Sequence, residues 1–138
     1  MNFYVEAGAK TKQYIESLLP SMITQLKLDG SRQHLQIIVD GDNEHSGQTI
    51  PLKGVATILV VIKPTRNLVE LGITLAHEMT HVAQFAKGTL TLTPRGKRWK
   101  GRFYASSVAY LQQPWEIDAF SKQELIFRRA IEIGWLIG

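Results

Sequence analysis

The sequence predicts an α+β fold, and three observations carry that prediction. Two stretches, Leu35–Val39 and Val55–Ile62, are dense in β-branched residues and read as strands. Three longer stretches repeat apolar residues at three- and four-residue spacing and read as helices. Their order is helix, strand, strand, helix, irregular connection, helix, which is not the strict alternation of a doubly wound sheet. The 138 residues are 44% hydrophobic and 20% charged, ordinary values for a soluble globular protein. They show no repeat, low-complexity tract or linker, so residues 1–138 are expected to form one domain.

From Ala9 to Leu28 the residues Tyr14, Ile15, Leu18, Leu19, Met22, Ile23 and Leu26 trace one face of a helix that stops before Asp29-Gly30. Pro20 is placed to bend or split it. Leu35–Val39 follows as a strand, and Asp40–Gly47 is expected to be a loop. Asp40, Asp42 and Glu44 alternate like a calcium loop, but His45 and Pro51 occupy the positions that need glycine and glutamate, so a polar turn is expected. Val55–Ile62 is the second strand, halted by Lys63-Pro64. Asn67 then caps the longest helical segment, with Glu70 as its capping-box partner and Gly88 as its stop. Thr89–Thr93 suits a short strand, and Arg95–Tyr104 reads as turn-like. Pro114 opens a helix that can run to about Gly134. Trp135–Ile137 is expected either to dock on the core or to offer an apolar contact.

Charge narrows the function classes. Residues 1–78 carry 7 basic and 8 acidic side chains, and residues 116–138 carry 3 and 4. Between Met79 and Gln113 stand Lys87, Arg95, Lys97, Arg98, Lys100 and Arg102, with no acid. All of the +4 surplus therefore comes from one segment. Such a segment either attracts an acidic partner or nucleic acid, through Arg95–Arg102, or simply keeps the surface solvated. The absence of cysteine removes disulfides, thiol nucleophiles and cysteine-based metal sites. The first residues lack a secretory pattern and no apolar run is long enough for a membrane helix, so a cytoplasmic monomer without a membrane partner is expected.

The chemistry lies in His77-Glu78-Met79-Thr80-His81. Leu68, Leu71, Leu75, Met79, Val82 and Ala86 form a stripe expected to face the core. Between Leu71 and Ala86 the ionisable residues are His77, Glu78 and His81 alone. Titratable groups in so apolar a helix are costly unless something pairs them, and a metal ion is a natural partner. Histidines at i and i+4 lie one turn apart on one face and can reach one zinc ion. Glu78, one position round, comes close to a zinc-bound water without being a ligand and can act as its base.

Catalytic zinc needs a third ligand and an open fourth position. No histidine follows His81, since the other two are His34 and His45, expected to be structural and solvent-exposed respectively. Glu116 is the best placed of the downstream carboxylates, with Glu124 the next choice. It sits in the first turn after Pro114, beside Trp115 and Ile117, which can bury that turn. Ala119 is small enough for close helix approach. Asp118 points about 200° away round the helix, toward solvent or the helix start. Tyr104 and Tyr110, between the two metal segments, are candidates to stabilise an oxyanion.

Gly72–Gln84, followed by Pro114-Trp-Glu-Ile-Asp-Ala119, resembles the zincin metallopeptidases with a glutamate third ligand, the gluzincins. More narrowly it is similar to the minimal phage or bacterial members akin to SprT-like and ImmA/IrrE-like proteins. The resemblance covers roughly residues 55–120. It implies a small zincin-like domain, with a short mixed sheet on an active-site helix and a C-terminal glutamate-bearing helix. It implies His77, His81 and Glu116 as zinc ligands and Glu78 as general base of a peptidase acting on peptides or proteins. Val55–Ile62 would be the edge strand that receives substrate. The chain departs from thermolysin-like members in having Phe120 where they place an aspartate, and from SprT-like proteases in lacking a third histidine. The alternative reading is a basic adaptor or virion-associated binding protein on a zincin scaffold with a structural or vestigial metal site.

Overall fold

In the computed structural model, which describes the backbone of residues 1–137 and the side chains of residues 1–132, a four-stranded sheet and three helices enclose one apolar core, to which a three-stranded sheet contributes no residue. The elements run β1 (Asn2–Glu6), α1 (Ala9–Gln25), β2 (His34–Val39), β3 (Gly47–Pro51), β4 (Thr57–Ile62) and α2 (Leu68–Ala86). They continue with β5 (Leu90–Thr93), β6 (Gly96–Trp99), β7 (Arg102–Ala105), a 3₁₀ turn at Tyr110–Gln112 and α3 (Pro114–Ile137). The α+β class expected from the pattern is the class observed.

The larger sheet has the order β1-β2-β4-β3. β1, β2 and β4 are parallel, with Phe3 opposite Leu35 and Leu35 opposite Ile58, whereas β3 returns antiparallel with Thr49 opposite Val60. Alternate residues Ile58, Val60 and Ile62 are fully buried, so one sheet face makes the core. Against it pack Leu19 and Met22 of α1 and Leu75 and Met79 of α2, all fully buried. Tight contact between α2 and α3 is set by Gly72, where a β-carbon would collide with the Phe127 ring. Ala119, fully buried, supplies the small surface expected of it.

Several expectations are corrected. α1 ends at Gln25 and accommodates Pro20 in its interior. Val55 and Ala56 precede β4, and β4 is an interior strand. The edge beside it is β3, which shares only Gly47 with the expected loop Asp40–Gly47. β1 is a strand that the pattern does not announce. Arg95–Tyr104 is not irregular: β5, β6 and β7 form an antiparallel meander with Leu92 opposite Lys97 and Lys97 opposite Tyr104. Gly101, at φ +84° between β6 and β7, permits the tight turn. Leu68, 52% exposed, leaves the core stripe, and Ile117, 54% exposed, leaves Trp115 alone to bury the start of α3. The expectations for Trp135–Ile137 lie outside the described side chains. Among the described residues no helix is long and apolar enough to cross a membrane.

Candidate metal centre

α2 begins as its sequence directs, with the Asn67 side chain accepting from the Glu70 amide at 3.1 Å. It ends at Lys87 before Gly88, whose φ of +73° is a left-handed cap. Between these ends the apolar face of α2 rests on the sheet while His77, Glu78 and His81 remain buried under α3 and β3.

His77, His81 and Glu116 come together. Each histidine Nε2 lies 2.9 Å from the same oxygen, Glu116 Oε1. One ligand atom from each residue lies within 4.8 Å of the other two. The opposite ring nitrogens are also held. His81 Nδ1 is 2.7 Å from Gln84 Oε1, and His77 Nδ1 is 2.8 Å from Gln123 Oε1. The Gln84 amide is fixed in this orientation because its Nε2 donates to Trp115 O at 3.0 Å and Asp118 Oδ2 at 2.9 Å. A neutral histidine that donates from Nδ1 has a lone pair on Nε2. Two such lone pairs and a carboxylate oxygen then converge on one point, an arrangement compatible with a bound metal ion. The donor set therefore fits a metal ion.

The electrostatics of the protein alone agree. Burial pushes His77 down, but hydrogen bonding to Glu116 and the charge of Glu78 outweigh it and hold the imidazole above its ordinary value. Burial likewise pushes Glu116 up, yet hydrogen bonds from His77 and His81 bring it down to about 2. In the absence of metal this favours a proton on His77 beside the Glu116 carboxylate.

Glu78 is 5% exposed and faces the same cleft. Its Oε1 accepts from Thr49 Oγ1 at 2.7 Å, which ties it to β3. Burial pushes its carboxyl above the usual range, opposed in part by His81, Thr49 and His77. The contact depends on Gly47: a β-carbon there would sit 2.8 Å from Glu78 Cγ and Oε2. Thus β3 reaches α2 closely enough to hold the carboxylate only because residue 47 has no side chain.

Of the two tyrosines, Tyr110 belongs to the site. Its hydroxyl donates to Glu116 Oε1 at 3.2 Å, and burial together with the Glu116 charge pushes its pKa up to about 12. Tyr104 does not line the cleft; its ring packs edge-on against Trp115 at 5.8 Å. Glu124 is exposed on α3, outside the triad. His34 is exposed at the start of β2, and His45 is exposed on the cleft rim. Asp118 turns neither to solvent nor to a cap, but holds Gln84 and pairs with Lys122 at 2.8 Å.

Gln84, Gln123, Thr49 and Gly47 are the functional neighbours that sequence reasoning misses. Gln84, three residues after His81, carries the one usable signal, an amide on the histidine face of an otherwise apolar helix. Phe120, where the thermolysin-like pattern has aspartate, packs edge-on against His77 at 4.7 Å, and Gln123 orients that histidine instead.

The triad, Glu78, Tyr110 and β3 border a cleft of about 840 Å³ that Lys97, Trp115 and Phe120 also line. Burial lowers the Lys97 ammonium below its ordinary value, with the Glu116 charge acting in the opposite direction. Comparison of the chain with protein-family models, with curated proteins and with solved structures returns no match.

Proposed function

We propose that this protein is a zinc-dependent metallopeptidase. The observation that carries the reading is the convergence of three acceptors on one point, with a second buried carboxylate beside them in an open cleft. His77, His81 and Glu116 would hold the ion, a set of two nitrogens and one oxygen that favours zinc. Zinc bound there supplies a water acidified toward neutrality and a Lewis acid for a carbonyl oxygen.

The chain's own residues do the rest. Glu78, raised by burial and steadied by Thr49, accepts a proton at its carboxylate and returns it to the leaving amine. Gln84 and Gln123 fix the histidine tautomers. The Tyr110 hydroxyl, kept protonated by burial and by Glu116, donates to the developing oxyanion. The free side of β3 offers main-chain hydrogen bonds to an extended peptide, the role that the resemblance assigns to Val55–Ile62.

The test is Glu78→Gln. Zinc content and circular dichroism should match wild type, while cleavage of a casein or denatured-protein substrate should fall by at least 10²-fold. Equal cleavage by wild type and variant would overturn the reading. A binding function is the second reading, favoured by the exposed Arg95, Arg98, Lys100 and Arg102 on and beside the meander. It predicts that Glu78→Gln is silent and that replacing those four cations abolishes capture of an acidic partner.

A further inference from the structure

Two polar groups on residues that line the cleft remain unused by the metal centre. The first is Lys97, in mid-strand on β6, fixed in register between Leu92 and Tyr104. Strand alternation places Lys97 and Trp99 on one face, half-buried, and Arg98 on the other, exposed. Lys97 lines the cleft with its Nζ 5.1 Å from the centroid of the Trp115 ring, the residue preceding Glu116. Among the described residues, no carboxylate lies within ion-pair distance of its Nζ and no acceptor takes its hydrogens. The acids that line the cleft are Glu78 and Glu116, and both serve the metal centre. The second group is the indole Nε1 of Trp115, buried with no acceptor.

Unsatisfied donors in a partly desolvated place are costly, and proteins keep them where a ligand supplies the acceptor. The charge balance points the same way. A divalent cation is neutralised by Glu116 and Glu78, so Lys97 leaves the cleft one positive charge in excess. We infer that Lys97, held against Trp115, is the anchor of a carboxylate-binding subsite beside the metal centre. The cleft therefore takes peptides with a carboxylate next to the reacting bond, either an acidic side chain or the peptide's own C-terminus. The word substrate rests on the peptidase reading; the binding itself does not. Arg95, Arg98, Lys100 and Arg102 lie outside the cleft lining and can steer an acidic peptide toward it without fixing its position.

Calorimetry on the zinc-loaded Glu78→Gln protein tests this without turnover. The probes are acetyl-Ala-Ala-Glu-Ala-Ala-amide, the same peptide with glutamine in place of glutamate, and that glutamine peptide with a free C-terminal carboxylate. One of the two acidic probes should bind about tenfold more tightly than the neutral one, as a charge-assisted hydrogen bond implies. Which of them does so identifies the source of the carboxylate. Adding Lys97→Met should bring the ratio to about one with zinc content unchanged, and Lys97→Arg should preserve most of it. A ratio of one with Lys97 present overturns the inference. So does a ratio that survives Lys97→Met, since the carboxylate is then held by the metal ion. If the methionine variant loses zinc or fold, Lys97→Gln against Lys97→Arg decides the point in the same way. The same preference together with a wild-type protein that cleaves nothing would sink the peptidase reading and leave the subsite standing.

Discussion

The two walls of the cleft pose opposite problems. The wall made by α2 and α3 gathers acceptors: two imidazole nitrogens and a carboxylate oxygen meet at 2.9 Å with every outer nitrogen already held by a glutamine. The wall made by β6 and the start of α3 gathers donors, Lys97 and the Trp115 indole, with no acceptor. One wall is completed by a cation and the other by an anion. Binding of an acidic peptide at a metal centre, as proposed above, would supply both. The comparison also separates support from exposure. Acceptors on the α-helical wall are buried and braced from behind, whereas Arg98 and Lys100 on the meander are exposed and braced by little.

The largest break in this contrast should come from Gln84→Ala. It frees His81 Nδ1 and leaves Asp118 and Trp115 O without their donor. Zinc affinity should drop by about 10- to 100-fold, read by competition with a chromophoric chelator. A change under threefold would show that His81 needs no brace.

Gly47→Ala tests the third side of the cleft. The new β-carbon drives β3 or Glu78 aside, so peptidase activity should fall by about tenfold or more while zinc content stays at wild-type level. Loss of zinc instead would mean that β3 supports the triad as well as the base.

The pH dependence sharpens the claim that the acceptors need a cation. His77 is held above its ordinary value of 6.5 in the metal-free protein. A raised value contributes stability that is fully present below 6.5 and is lost as pH rises through the folded value. Zinc needs the same nitrogen unprotonated, so its stabilisation grows over that interval. The gap in melting temperature between zinc-loaded and chelator-treated protein should therefore widen from pH 6 to pH 8.5. On the acid side Glu116, lowered to about 2, contributes stability that is present above 4.5 and is lost as pH falls toward 2. A gap that does not change with pH would contradict the protonated-histidine description of the metal-free site. The smallest effect belongs to Arg98→Ala, which should leave stability within about 0.5 kcal/mol and zinc affinity unaltered.

Legibility in the sequence followed burial. α1, α2, β2 and β4 can be read because each must place an apolar stripe or run on the shared core, and that requirement is written in spacing. Asn67, Gly88 and Pro114 mark helix ends because caps have few solutions. β1 and β3 escape because five residues without alternation carry little periodicity, and their pairing comes from long-range register. β5 falls within the expected strand Thr89–Thr93, whereas β6 and β7 escape because they are four residues long and carry lysine and arginine, which elsewhere mark turns. At the site, His77, Glu78 and His81 are legible as the costly groups of an apolar helix, and Glu116 by its place in the first turn after Pro114. Gln84, Gln123 and Thr49 are not, because an amide or hydroxyl acts through geometry that only the packed helices create. Ile117 was expected to bury the start of α3 and is instead exposed, since one aromatic side chain, Trp115, fills that space.

The measurement that bears most directly on the central claim is elemental analysis of wild type and Glu116→Ala, each stripped with chelator, supplied with zinc and desalted. The account predicts about one zinc per chain in the wild type and little in the variant, with unchanged circular dichroism. No zinc in the wild type, or equal zinc in both proteins, would contradict a metal centre formed by His77, His81 and Glu116.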